Sequence, residues 1–347
     1  MTRFFPPEWA EQSAVLIAWP SGQGDFARWF GDVEKTYIRI AQAISRRQHL
    51  VVACRDEAHR QSIRERISRS GIDGGRIHFV AVPYDDIWVR DTAPLAVTTP
   101  DGPLLLDFRF NAWGGKYACD HDAALAENLW RSELFGATAR EAVDFVLEGG
   151  SIETDGQGTL LTTRHCLLNP NRNPGLSARQ IEEVLHQSFG IRRILWLHHG
   201  KAEGDDTDAH VDTLARFCDA GTIAYTTCEQ ESDPQYADLK AMEAELEAFR
   251  TPSGGHYRLV PLPIPKPIAS EDGGRLPATY ANFLIINDAV LVPVYGDPND
   301  APALQRLAEC FPDRDVVPID CRSLIRQFGS LHCMTMQFPA AIPITAP

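Results

Sequence analysis

The sequence predicts an α/β fold in which a hairpin–helix–strand unit recurs and closes into a ring of five units. Three observations carry that prediction. Apolar strand-like runs pair across turn residues four times along the chain. A helix-like segment and then a third apolar run follow each pair, at intervals of roughly 55 to 70 residues. The two chain ends supply the missing halves of a fifth unit. A closed ring also protects its sheet edges, because each unit packs on the next. The competing arrangement is an open α/β sheet in two lobes. The ring accounts for the repeat and implies one domain over residues 1–347.

The first hairpin joins APLAVTT to PLLLDFRF through Pro100-Asp101-Gly102, and the second joins SIET to TLLTT through Asp155 to Gly158. The third joins TLARFC to TIAYTT through Asp219-Ala220-Gly221, and the fourth joins NFLII to VLVPVY through Asn287-Asp288. Gly, Asn and Asp tolerate the positive φ that such turns demand. The helices are expected over Asp120 to Glu133, Ser177 to Gln187, Tyr236 to Phe249 and Ala301 to Cys310, with Ser177 and Asp300 as N-caps. The third strands are VDFVLEG, RRILWLH, HYRLVPLPI and DVVPID. The N-terminus offers AVLIAWP, a helix over Asp32 to Arg46 and the strand HLVVAC, while SLHCMTMQF arrives from the C-terminus to complete that unit.

Composition narrows the function. The net charge of −14 argues against nucleic acid or an anionic membrane as partner and suits a cationic small molecule. No apolar run approaches the roughly 20 residues of a membrane span, and the start lacks a secretory pattern, so a cytoplasmic location is expected. The eight cysteines show no C-x-x-C spacing; most read as small buried hydrophobes, and one as a reactive thiol. Nucleotide-binding and zinc-protease motifs are absent from the sequence.

The unusual polar residues recur at one point of the unit. Asp91 and Glu148 precede the first and second hairpins, His210 and Asp212 open the third, Asn282 the fourth, and Cys333 lies in the fifth. In a ring of repeats such positions converge on one axis. One thiol, one imidazole and three carboxylates suit a guanidinium, a planar cation with a fork of N–H donors that carboxylates match in pairs. Asp91 and Asp212 would pin its plane, and Cys333 would attack its resonance-stabilised carbon. His210 would pass protons, Glu148 would orient His210, and Trp88 would stack on the substrate. Two other readings stand beside this one. Asp208, His210 and Asp212 alternate, as metal ligands on one face of a strand would. Alternatively, the chain keeps the fold as a binding protein without activity. Asp205, Asp206 and Glu8 are acids considered for a substrate amine, with no role assigned.

Several long segments carry a family resemblance: EWAEQSAVLIAWP, DDIWVRDTAP, FNAWGGKY, LEGGSIETDGQGTLLTTRHCLLNPNRNP, EGDDTDAHVDTLARF, NFLIIN, VPVYGDPND and HCMTMQFP. Together they resemble the guanidino-group-modifying superfamily, in the branch that groups agmatine deiminases with bacterial peptidylarginine deiminases. The resemblance implies a five-bladed pseudo-symmetric α/β propeller. It also implies hydrolysis of agmatine to N-carbamoylputrescine and ammonia on the route to putrescine, or the same reaction on peptidylarginine or another arginine derivative. By position it gives Cys333 as nucleophile, His210 with Asp212, Asp91, Glu148 and Trp88. No cofactor or metal is implied, and a homodimer is allowed. Three positions depart from the family pattern: Ala209 stands where Gly is usual, Gly329-Ser330-Leu331 shortens a glycine-rich run, and SGQGDFARW loosens a segment after AWP.

Overall fold

The computed structural model describes residues 3–345. The chain opens with β1 (Gln12–Ala18), β2 (His49–Cys54) and β3 (Ile77–Ala81), paired in parallel in that order. Four three-stranded sheets follow: β4 (Leu95–Thr99), β5 (Gly102–Arg109) and β6 (Ala139–Val146); β7 (Ile152–Thr154), β8 (Thr159–Thr163) and β9 (Arg193–Leu197); β10 (Ala215–Asp219), β11 (Thr222–Thr227) and β12 (Arg258–Pro263); and β13 (Leu284–Ile286), β14 (Ala289–Val294) and β15 (Asp315–Asp320). In each, the first two strands form an antiparallel hairpin and the third pairs in parallel on the second. Finally β16 (Thr335–Pro339) returns to pair antiparallel with β1, setting Leu16 opposite Met336. The two ends thus complete one blade, and the result is a five-bladed α/β propeller.

Helices wedge between neighbouring blades. The helix Phe30–Ser45 packs on β2 of its own sheet and on β15 of the previous one, burying Ile40 and Ile44 fully. Each such side chain contributes about 1.5–3 kcal/mol. Helices Tyr236–Ala248 and Asp300–Cys310 likewise touch β9 with β11, and β12 with β15. Ser177 caps the helix Ala178–Phe189 in a reciprocal pair with Gln180, as the sequence predicts. Asp300 does not cap its helix, because the N-cap position falls on Asn299. Its carboxylate instead accepts from Tyr295 N, Gly296 N, Asp297 N and the Tyr280 hydroxyl, closing the loop ahead of the helix. The N-terminal blade also has a fourth strand, β3, and a second helix, Glu57–Arg69, beyond the predicted unit. Among the described residues no helix is long and apolar enough to cross a membrane.

What places the site is a single helical turn at the mouth of successive hairpins. Val89–Thr92 precedes β4, Gly149–Ser151 precedes β7, and Val211–Thr213 precedes β10. The second of these turns touches both the others. Asp91, Glu148, His210 and Asp212 all lie in or directly before these turns.

Candidate active site

Cys333 sits on the turn before β16 and lines a cavity of about 240 Å³. Its Sγ lies 3.5 Å from Asn282 Oδ1 and 3.8 Å from Asp212 Oδ2. Asn282 Oδ1 also accepts His332 N at 2.8 Å, and Arg90 N donates to Cys333 O at 3.1 Å, so the nucleophile turn is held on both sides. Burial pushes the thiol well above its ordinary pKa, and the charges of Asp212 and Asp91 add to the effect. The thiolate therefore needs a cation beside it.

Asp91 also lines the cavity. Its Oδ1 accepts Gly150 N at 2.9 Å and its Oδ2 accepts Trp113 Nε1 at 2.9 Å. Burial raises its pKa to about 6; His210 opposes that rise, while Asp212 and Glu148 reinforce it. His210 Nδ1 stands 3.7 Å from Asp91 Oδ1. A Cβ at Gly150 would lie 2.6 Å from His210 Nδ1, 3.0 Å from Asp91 Oδ1 and 3.1 Å from Asp212 Oδ2. Three catalytic-type groups thus converge on a spot that only glycine leaves open.

Two buried atoms here have no hydrogen-bond partner among the described residues, His210 Nε2 and Asp212 Oδ1. Leaving such atoms unpaired costs free energy, so these two are groups kept available for a polar ligand. Asp212 is otherwise fixed, with Oδ2 accepting from His332 Nδ1 at 2.7 Å. Trp88 lines the cavity and packs so closely on Gly329 that a Cβ there would enter its ring.

Glu148 is placed differently from the expectation. Among the described residues no hydrogen bond joins it to His210, although ligand atoms of the two lie within 4.8 Å. Its carboxylate accepts Arg172 Nε at 2.5 Å, both side chains being fully buried. Arg172 continues to Asp208 Oδ2 at 2.7 Å and to Thr207 O at 3.0 Å. Sequence reading passed over Arg172, whose signal was its place in the NPNRNP run.

The strand alternation on which the metal-site alternative rested is absent. Asp208 and Ala209 have φ of 65° and 66°, so no strand alternation survives there. The Asp208 carboxylate turns away to Arg172 and Lys116. Of the three acids considered for a substrate amine, Asp205 accepts Thr207 N and Ala209 N and holds its own loop. Glu8 is buried against Arg216 and His332. Only Asp206 reaches the cavity, where Asp25, Asp85, Asp86 and Asp122 also gather. Among the described residues, that lining includes no Lys, Arg or His.

The family of Porphyromonas-type peptidyl-arginine deiminases matches residues 4–339. An agmatine deiminase of Stutzerimonas stutzeri is 36% identical over 360 residues, spanning 97% of this chain and 95% of that protein. A candidate arginine deiminase from Porphyromonas gingivalis superposes with a TM-score of 0.91 at 47% identity, over 99% of this chain and 100% of that one. A substrate-bound agmatine deiminase of C. jejuni superposes with a TM-score of 0.89 at 36% identity, over 97% and 96%. Fold and relatives together define a hydrolase of C–N bonds in linear amidines. The chain belongs to the Porphyromonas-type peptidyl-arginine deiminase family.

Proposed function

We propose that this protein is an agmatine deiminase, converting agmatine and water to N-carbamoylputrescine and ammonia. The observation that carries the choice of substrate is the cavity above Cys333, which gathers six aspartates among apolar residues and has no basic side chain in its described lining. Agmatine is cationic at both ends. Free arginine would bring a carboxylate into a ring of carboxylates, which costs attraction and desolvation without a partner. Asp86 has its pKa raised to about 6 by burial, with Asp25 adding to the rise, and a substrate ammonium would relieve both.

In this reading Asp91 and Asp212 pin the guanidinium plane and Trp88 covers one face of the substrate. The bound cation lowers the cost of the Cys333 thiolate, and the thiol proton passes to His210. Sulfur bonds to the guanidinium carbon, and His210 returns the proton to the departing nitrogen as ammonia leaves. Neutral His210 then takes a proton from water as the water oxygen bonds to the same carbon. The C–S bond breaks, the thiol is restored and the ureido product departs. Glu148 acts from behind, with Arg172 fixing its carboxylate. The polar groups come from all five blades, so we infer that residues 1–347 work as one unit. We further infer a cytoplasmic location, supported by eight cysteines that are all free.

The test offers agmatine, free arginine and a peptide with an internal arginine, and measures ammonia together with the mass of the product. Agmatine is expected to turn over fastest. Turnover of the peptide alone would defeat the proposal.

A further inference from the structure

The segment after β5 takes no part in the mechanism above, yet four consecutive residues of its backbone have positive φ. Ala112, Trp113, Gly114 and Gly115 have φ of 52°, 52°, 94° and 82°, one turn of left-handed helix. Residues with a side chain resist that conformation by about 1–2 kcal/mol each, and two of these four carry one. Such strain persists only where the surroundings over-determine it. Here Asn111 Oδ1 accepts Gly114 N at 2.9 Å, and Asn111 Nδ2 donates to Asn171 O at 2.9 Å. A Cβ at Gly114 would run into the Asn171 side chain.

The result of the strain is the placement of one indole. Trp113 lines the cavity alongside Asp91 and Cys333, edge-on to Phe110 and Tyr117 at 5.0 and 5.8 Å between ring centroids. Its Nε1 donates to Asp91 Oδ2, and Gly150 N donates to Oδ1. Each carboxylate oxygen offers about two acceptor sites. One protein donor on each oxygen therefore leaves one site on each, the pattern a guanidinium fork fills.

We propose that Trp113 is a positioning residue for the reaction: its indole N–H fixes the carboxylate plane of Asp91, and the left-handed turn Ala112–Gly115 holds it there. This rests on Asp91 being the guanidinium partner. The indole bond favours the charged form of Asp91, against burial. The other groups facing Asp91 are His210, Asp212, Glu148, Arg90 and Cys333. Trp113→Phe keeps the ring and removes only the donor.

The experiment follows the Asp91 side-chain carboxyl by 13C NMR titration, assigned with Asp91→Asn, and the pH profile of ammonia release from agmatine. In Trp113→Phe the Asp91 titration is expected to rise by about one pH unit. The acid limb of kcat/KM moves up with it, and kcat falls about tenfold while KM changes less than about threefold. Asn111→Ala frees the turn but keeps the indole, and gives the same direction at smaller amplitude; it decides the matter if the Phe variant does not fold. Wild-type Asp91 titration together with wild-type kcat in the variant overturns the proposal. Failure of the wild-type protein to release ammonia from agmatine sinks the substrate reading instead, and the NMR titration still decides the role of Trp113.

Discussion

Two buried networks of charge meet beside Cys333, and they are completed to different degrees. In the first, Arg216 binds Glu8 at 2.7 Å, binds Glu153, and donates to Phe283 O at 2.8 Å. Glu8 also accepts Ile285 N at 2.7 Å and pairs with His332 Nε2 at 2.8 Å. Burial opposes the Glu8 charge, but Arg216 and His332 outweigh it and hold Glu8 well below the usual carboxylate range. In the second network, Asp91 faces His210 and Asp212 faces Cys333, atoms of His210 and Asp212 are left open, and burial wins, raising Asp91 to about 6. The networks meet at one bond, His332 Nδ1 to Asp212 Oδ2. A finished network stabilises the fold and positions its neighbour; an unfinished one costs stability until a ligand completes it.

The sharpest separation of the two comes from Cys333→Ala. Turnover is expected to vanish while the thermal unfolding midpoint stays close to wild type, since no paired charge is lost. Asp91→Asn and Asp212→Asn should each reduce kcat/KM on the order of 10²-fold or more, as guanidinium N–H groups lose their partners. Equal activity in Asp91→Asn would refute the guanidinium cradle.

The paired network should respond in stability instead. Arg216→Met leaves Glu8 and Glu153 buried without their cation, an expected loss of about 3–5 kcal/mol in urea unfolding. If that variant keeps wild-type stability, the division between the networks fails.

The smallest effect is predicted at Ala209, which is buried in the left-handed region beside His210. Ala209→Gly relieves a backbone cost of about 1–2 kcal/mol and gives back part of it as a lost buried methyl. A small rise in the unfolding midpoint is the result to look for by calorimetry.

pH acts on the unfinished network as well. Asp91 has a raised pKa, so it is protonated below about pH 6 in the free enzyme and charged above it. Guanidinium binding needs the charged form, so kcat/KM should fall as pH drops through about 6, and a flat profile down to pH 5 would count against the assignment.

The blades were legible because each hairpin writes its turn chemistry into the chain, as Asp288 does at φ 59° between β13 and β14. The convergence of Asp91, His210, Asp212 and Cys333 followed from the repeat itself. β3 stayed hidden because it lies beyond the repeated hairpin–helix–strand unit, so the repeat gave no cue to it. The alternation of Asp208, His210 and Asp212 misled because two successive left-handed residues break a strand that the residue types alone allow. The partners of Arg172 and Trp113 and the Glu8–His332 link depend on contacts between residues far apart in the chain, which local pattern does not specify.

The central claim is that the guanidinium carbon becomes bonded to the sulfur of Cys333. Acid quenching during agmatine turnover, followed by peptide mapping, tests it directly. The account predicts an amidino adduct on the peptide that contains Cys333, and its disappearance in Cys333→Ser along with all ammonia release. An adduct on another residue, or undiminished turnover by the serine variant, would contradict it.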